Sequence, residues 1–186
     1  MQTLGITDST PRTENRLKSL FWPSIKDQGD ADYLTIQGFW VCFVTCVITL
    51  IVGLIGGEYF GSLFAGVFYL LGGAGVRQGS RFAAVSVFAV YLLSCIGATR
   101  HAGMAFDALT VILIALLLAN VRSVFLSARW AKSGLQVEIP RLSTTLGDKL
   151  SDQFPKWVWP KGRYAFYVMA VLLVLPLLFV VLMPSA

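Results

Sequence analysis

Residues 57–88 read GEYFGSLFAGVFYLLGGAGVRQGSRFAAVSVF. This stretch consists of two apolar runs that meet at a glycine-rich turn, and the turn carries Arg77 and Arg81. A transmembrane helix needs about 20 mainly apolar residues, and each run belongs to a segment of about that length. The stretch therefore predicts a hairpin of two membrane helices, and similar apolar runs flank it on both sides.

The composition extends this interpretation to the whole chain. Of its 186 residues, 56% are apolar and 13% are charged, whereas soluble domains average about 25% charged residues. The net charge is +5, but the basic residues fall between the apolar runs and form no stripe with interleaved aromatic side chains. We therefore expect the lipid bilayer, and no nucleic acid, as a partner.

The apolar runs predict an all-α polytopic integral membrane protein with five transmembrane helices. Backbone groups in lipid must be satisfied within their own segment, so each run should be a helix. The predicted spans are Tyr33 to Gly56, Tyr59 to Val76, Phe82 to Thr99, Met104 to Ala128 and Tyr164 to Met183. Because the second run is short and rich in glycine, a re-entrant loop is its alternative.

This assignment divides the chain into four parts. We expect a cytoplasmic N-terminal segment with a short interfacial amphipathic helix, a four-span transmembrane bundle, an amphipathic cytoplasmic connector, and a fifth helix with a short outer tail. Their bounds are 1–32, 33–128, 129–163 and 164–186.

The orientation follows from the distribution of lysine and arginine. With five crossings, every strongly basic segment lies on one side, and the positive-inside rule makes that side cytoplasmic. We therefore predict a cytoplasmic N-terminus and an outer C-terminus, in a plasma membrane of the bacterial type.

Small residues along the second span predict a surface for helix packing. Helices in lipid associate through close contact, which glycine permits. The alternatives are a homo-oligomer interface, a contact within a larger membrane complex, or a solute path lined by backbone. The predicted packing residues are Gly57, Gly61, Gly66, Gly72, Gly73, Gly75 and Gly79.

Basic residues at the cytoplasmic ends of the spans have two interpretations. They can fix the topology by bonding lipid phosphates in general, or they can form one pocket for anionic lipid head groups or an acidic partner. The residues concerned are Arg77, Arg81, Arg122, Arg129 and Lys132.

Asp107 is the one carboxylate inside an apolar run, near the outer end of the fourth span. It predicts either an interfacial acid satisfied by water or by Arg100, or a site for proton or cation coupling. Glu58 and His101 lie at the same outer level. His101 is the sole histidine, which excludes a multi-histidine metal site, and we expect Asn120 to form an interhelical hydrogen bond.

Aromatic residues beside basic ones predict anchors at the membrane interface. Pro176, inside the fifth span, should kink the helix and free a carbonyl about one turn earlier. The predicted anchors are Trp22, Trp157, Trp159 and Tyr164.

The polar inventory within the spans is too thin for an assigned catalytic chemistry. We therefore expect no enzyme, no metal and no cofactor. The favoured interpretation is a non-enzymatic membrane subunit or scaffold that works through helix packing and its basic cytoplasmic face. The alternatives are a transporter or channel subunit acting as an oligomer, and a membrane enzyme of lipid metabolism.

Overall fold

The computed structural model describes residues 28–102, 107–132, 153, 155 and 157–183, with side chains for these residues apart from 28–30, 101–102 and 130–132. The described residues form five long helices: α1 (Gln28–Gly56), α2 (Tyr59–Arg77), α3 (Arg81–Ala102), α4 (Ala108–Lys132) and α5 (Val158–Leu182). Each contains a segment of 19 to 26 residues that is long and apolar enough to cross a membrane. The prediction of five apolar helices is therefore confirmed. The predicted N-terminal amphipathic helix, Trp22, most of the connector and the end of the outer tail lie outside the described residues.

Two helices begin earlier than predicted. α1 begins at Gln28, so Asp30 and Asp32, which precede the predicted start at Tyr33, belong to the helix. α5 begins at Val158, six residues before Tyr164. Pro160 is tolerated there because the first turn of a helix has no intrahelical acceptor for its N–H groups, so the missing proline N–H costs nothing.

The bundle is organised around α2, which packs against α1, α3 and α5. α4 closes a ring of four helices by packing against α1 and α3, and α5 lies over α2 and α3. Two ends can be distinguished. The elbow end holds the turn at residues 78–80, and the far end holds the turn at residues 57–58.

Glycines bring α2 close to its three neighbours toward the elbow end. A β-carbon added at Gly73 would lie 3.0 Å from Cβ of Cys42 in α1. One added at Gly75 would lie 2.6 Å from Cβ of Ala83 in α3 and 2.6 Å from the Trp159 ring in α5. Gly66 also faces α1, so the helix axes approach to a distance that no larger residue permits at these positions.

Three of the predicted packing glycines have no neighbouring helix against them among the described residues. Gly57 and Gly79 have φ angles of +76° and +72°, which side chains rarely adopt, and they occupy the two turns. Gly61 lies in α2, but no described atom of another part of the chain lies within 4 Å of a β-carbon built on it. Gly57, Gly61 and Gly79 therefore make no helix–helix contact among the described residues, and an interface between copies of the chain stays a prediction for them.

Aromatic rings fasten α5 to the bundle. Phe166 is fully buried and stacks on Phe68 of α2 with ring centroids 4.9 Å apart. Trp159 packs edge-on against Phe166 at 5.3 Å and is only 8% exposed. The interface anchor predicted at Trp159 is thus a core residue, because α5 begins early enough to carry its ring inward. Trp157 and Tyr164 remain exposed.

Polar side chains between α1 and α4 are arranged differently from the prediction. Ser123 donates a hydrogen bond to the Ala31 carbonyl at 3.0 Å. Asn120 packs against Gly38, is 2% exposed, and has no hydrogen-bond partner among the described residues. The interhelical hydrogen bond predicted for Asn120 is therefore made by Ser123 one turn further along α4.

The contact at Gly75 gives a direct test of the packing. We expect Gly75→Ala to lower the free energy of unfolding by about 1–3 kcal/mol, because the added methyl group overpacks against Ala83 and the Trp159 ring. Gly61→Ala is the matched control in the same helix. It should leave stability unchanged or raise it slightly, since alanine favours helix and meets open space. Unfolding of the purified protein in detergent measures both. Equal effects of the two substitutions would contradict close packing at Gly75.

Candidate functional site

A cleft of about 630 Å³ lies between the middle and the far end of the bundle, and all five helices contribute to its walls. Most of the lining side chains are aliphatic. Its lining residues come from the middle and far-end parts of the helices, away from the close contacts that Gly73 and Gly75 make toward the elbow end. The volume falls within the range of small-molecule sites, about 300–1,000 Å³.

Hydroxyl groups supply most of the polar atoms of the cleft. Thr45 in α1 and Ser94 in α3 donate to the carbonyls of Val41 and Val90 in their own helices, each at 2.8 Å. Because the hydroxyl protons are used within the helix, the lone pairs of these oxygens are left for another donor. Thr49 and Tyr69 complete this part of the lining.

A second polar group joins α3 to α4. The Tyr91 hydroxyl lies within hydrogen-bonding reach of Thr110 and Cys95. Thr110 also contacts the carboxylate of Asp107. Tyr91, Thr110 and Asp107 therefore form a connected polar group on one wall of the cleft.

Asp107 caps the N-terminus of α4. Its Oδ1 accepts a hydrogen bond of 2.7 Å from the backbone N–H of Thr110, three residues further along the chain. The Thr110 hydroxyl and this N–H lower the pKa of Asp107 below its ordinary value. The side chain is exposed and lines the cleft, so an ionised carboxylate stands at its mouth at neutral pH.

Of the three predicted far-end residues whose side chains the structure describes, only Asp107 lines the cleft. Arg100 donates to the Val181 carbonyl at the end of α5 and is not part of the lining. Glu58 precedes α2, where its backbone carbonyl accepts a hydrogen bond from the Ser62 hydroxyl at 2.7 Å. His101 lies in the last turn of α3, and its side chain is outside the described residues.

Two of the predicted basic residues at the elbow end make contacts within the bundle. Arg77 forms an ion pair of 2.6 Å with Asp32 of α1. The guanidinium of Arg81 lies 5.4 Å from the centre of the Phe125 ring in α4, a cation–π distance. Arg77 therefore holds α2 to α1, which is a structural role beside the one predicted for it.

The remaining basic residues of that set lie in the second half of α4. Arg122 is half-buried and Arg129 is exposed. Lys132 is the last residue of the helix, and its side chain is outside the described residues. The structure thus places these residues at the elbow end without showing them around one pocket.

The sequence had given no sign of the cleft. Tyr69, Tyr91, Ser94 and Thr110 are common in apolar helices, and only their convergence from three helices makes them a group. Pro176 was predicted to free a carbonyl, and the structure adds that Pro176 lines the cleft together with Leu172, the residue one turn earlier.

Comparison of the chain with protein-family models, curated proteins and solved structures finds no match in any of the three. Among the described residues, no group of three histidine, cysteine, aspartate or glutamate side chains lies close enough to hold a metal ion. Function must therefore be inferred from the chemistry of the cleft and of the elbow end.

The cap at Asp107 predicts a particular response to substitution and pH. An asparagine side chain accepts the same hydrogen bond and would preserve the cap without its charge, so Asp107→Asn should melt slightly below the wild type at pH 7, whereas Asp107→Ala should melt well below it. Since the pKa is lowered in the folded state, the charged cap contributes stability above the ordinary value of 3.8 and loses it as the pH falls through the lower, folded value.

Thermal melting in detergent between pH 7 and pH 3 measures both effects. The advantage of the wild type over Asp107→Asn should shrink as the pH falls below 3.8. A difference between these two proteins that does not change with pH would contradict the charged cap.

Proposed function

We propose that the protein is an integral membrane protein whose five helices cross the bilayer, and that it binds a small molecule in the far-end cleft as a subunit of a transporter. The observation that carries this proposal is the cleft itself. A recess bounded by five helices, with a carboxylate and several hydroxyls among aliphatic walls, is the kind of site that holds a small solute.

The charges give the proposed orientation. Arg77, Arg81, Arg122 and Arg129 lie toward the elbow end, whereas Arg100 is the arginine of the far-end turns. The positive-inside rule then makes the elbow end cytoplasmic and the far end external. The cleft would open to the outside, with the N-terminus in the cytoplasm and the C-terminus outside.

A bundle that is closed at the elbow end and has its cleft toward the far end fits a transporter that works by alternating access. Toward the elbow end, Gly75, the Phe68–Phe166 stack and the Arg77–Asp32 pair close the bundle. A site reached from one side while the other side is closed is one of the states through which transporters cycle. Because a single small chain has few polar groups within its spans, we propose that it works as a homo-oligomer or with partner subunits.

Thiol labelling tests whether water and solutes reach the cleft in the membrane. In a background with Cys42, Cys46 and Cys95 replaced by serine, a cysteine at Thr49 should react when an impermeant methanethiosulfonate reagent is added outside intact cells. These reagents attack the thiolate, which requires a wet environment. Cysteine at Ile51, two residues further along α1, is exposed on the apolar surface and outside the cleft, and should not react.

The cysteines at Thr49 and Ile51 would lie at similar depths in the membrane. A difference in their reaction therefore reports access to the cleft and not depth. Reaction of Thr49→Cys alone supports an outward-open cleft. If neither variant reacts with a cationic or an anionic reagent, the cleft is not a solute site in the membrane and the proposed function fails.

A second candidate function is a non-enzymatic subunit or scaffold that binds anionic lipid head groups at the elbow end. The observation in its favour is the exposed guanidinium of Arg129, on the same end of the bundle as Arg81 over the Phe125 ring. Both lie where anionic lipids concentrate if this end is cytoplasmic. This function and solute binding at the opposite end are compatible.

Lipid-dependent stability tests the second candidate. Anionic lipid added to the detergent-solubilised protein should raise the melting temperature more than zwitterionic lipid does, and replacing Arg81 and Arg129 together with glutamine should remove that difference. Arg77→Gln is the control with the same kind of charge change at the same end. It should lower the melting temperature equally in both lipids, because it breaks the pair with Asp32. A full anionic effect in the Arg81 and Arg129 double variant would exclude this site.

A further inference from the structure

Three of the polar side chains that line the cleft can accept a hydrogen bond from a ligand. The hydroxyls of Thr45 and Ser94 spend their protons on the carbonyls of Val41 and Val90, which leaves oxygen lone pairs for a ligand. Asp107, when ionised, can only accept. A ligand that fits these atoms must therefore donate hydrogen bonds or carry positive charge.

A further acceptor comes from the backbone of α5. Pro176 has no N–H, so the carbonyl of Leu172, four residues earlier, lacks the donor that an unbroken helix would give it. Both residues line the cleft. Exposed carbonyls at breaks in membrane helices are groups that coordinate cations in transporters.

No described lining residue offsets the charge of Asp107. The cleft lining contains no described lysine, arginine or histidine. Arg100, the nearest described cation along the chain, donates to the Val181 carbonyl and lies outside the lining. The described cleft therefore has a formal charge of −1, carried by an exposed carboxylate beside largely aliphatic walls.

The size and the walls exclude a bare inorganic ion as the best occupant. A monovalent metal ion needs a tight cage of oxygens, whereas this cleft measures about 630 Å³ and is lined mainly by aliphatic side chains. Two aromatic rings, Tyr69 and Tyr91, also line it. Aromatic rings attract organic cations through their electron-rich faces.

We propose that the cleft binds a monovalent organic cation with a bulky apolar body, its positive centre at Asp107 and its body against the aliphatic walls. This inference rests on the proposed function, since it names the solute class of the same cleft. A monovalent cation also matches the charge of the cleft, because Asp107 is the one carboxylate among the described lining residues.

Two ions of nearly equal size and shape and of opposite charge provide the test. Tetraphenylphosphonium should bind the purified protein in uncharged detergent with a saturable component above the micelle background, measured by equilibrium dialysis. Tetraphenylborate should show no saturable component. Asp107→Asn should weaken phosphonium binding by about tenfold, because one favourable charge contact is lost.

The controls separate loss of charge from loss of fold. Asparagine keeps the helix cap, so the folded state of Asp107→Asn is checked by its melting temperature. Glu58→Gln removes the same charge at the same end but outside the cleft, and should leave phosphonium binding unchanged.

Three results would overturn the organic-cation proposal: no saturable phosphonium binding, equal binding of the borate, or undiminished binding by Asp107→Asn. If any of these occurs while the cysteine at Thr49 still reacts from outside, the cleft remains a solute site and only the cation class is wrong. If the cysteine does not react, the proposed function fails with it.

Discussion

The close approach of α2 to three neighbours is the constraint on which the rest of the structure depends. In lipid, helices gain nothing from hiding apolar surface, so their association depends on contact area and short separation. At Gly73 and Gly75 the absence of a side chain lets α1, α3 and α5 reach the α2 backbone at nearly one level. α1 and α2 stay in close contact as far as Gly53 and Ser62 near the far end, and the cleft lies among the five helices away from the level of Gly73 and Gly75.

Charges near the apolar helices are used to join helices. Arg77 pairs with Asp32 across the α1–α2 contact, and Arg100 donates to the Val181 carbonyl at the end of α5. A guanidinium near an apolar layer is costly without partners, and a neighbouring helix supplies them here. Arg77 and Arg100 therefore contribute to helix packing, which limits how many arginines remain for the proposed binding of lipid.

The five helices could be predicted because the length and polarity of a membrane segment are local properties of the sequence. Helix starts were less accurate, since Gln28 and Val158 lie in polar sequence that only the tertiary structure makes helical. The glycine set was predicted partly correctly, because spacing alone cannot separate Gly75 in a contact from Gly79 in a turn. The cleft could not be predicted. Tyr91 and Thr110 lie on different helices, and no local pattern indicates that their side chains meet.

The place of α5 on the seam between α2 and α3 has a consequence for biosynthesis. The seam is made early in translation, while Trp159 and Phe166, which cover it, emerge only after α4 and the connector. Until then the backbone at Gly72 and Gly75 lacks the cover that Phe166 and Trp159 provide. The last step of assembly is then the packing of α5 onto the surface that α2 and α3 have already formed. A chain that stops after α4 would leave that surface uncovered.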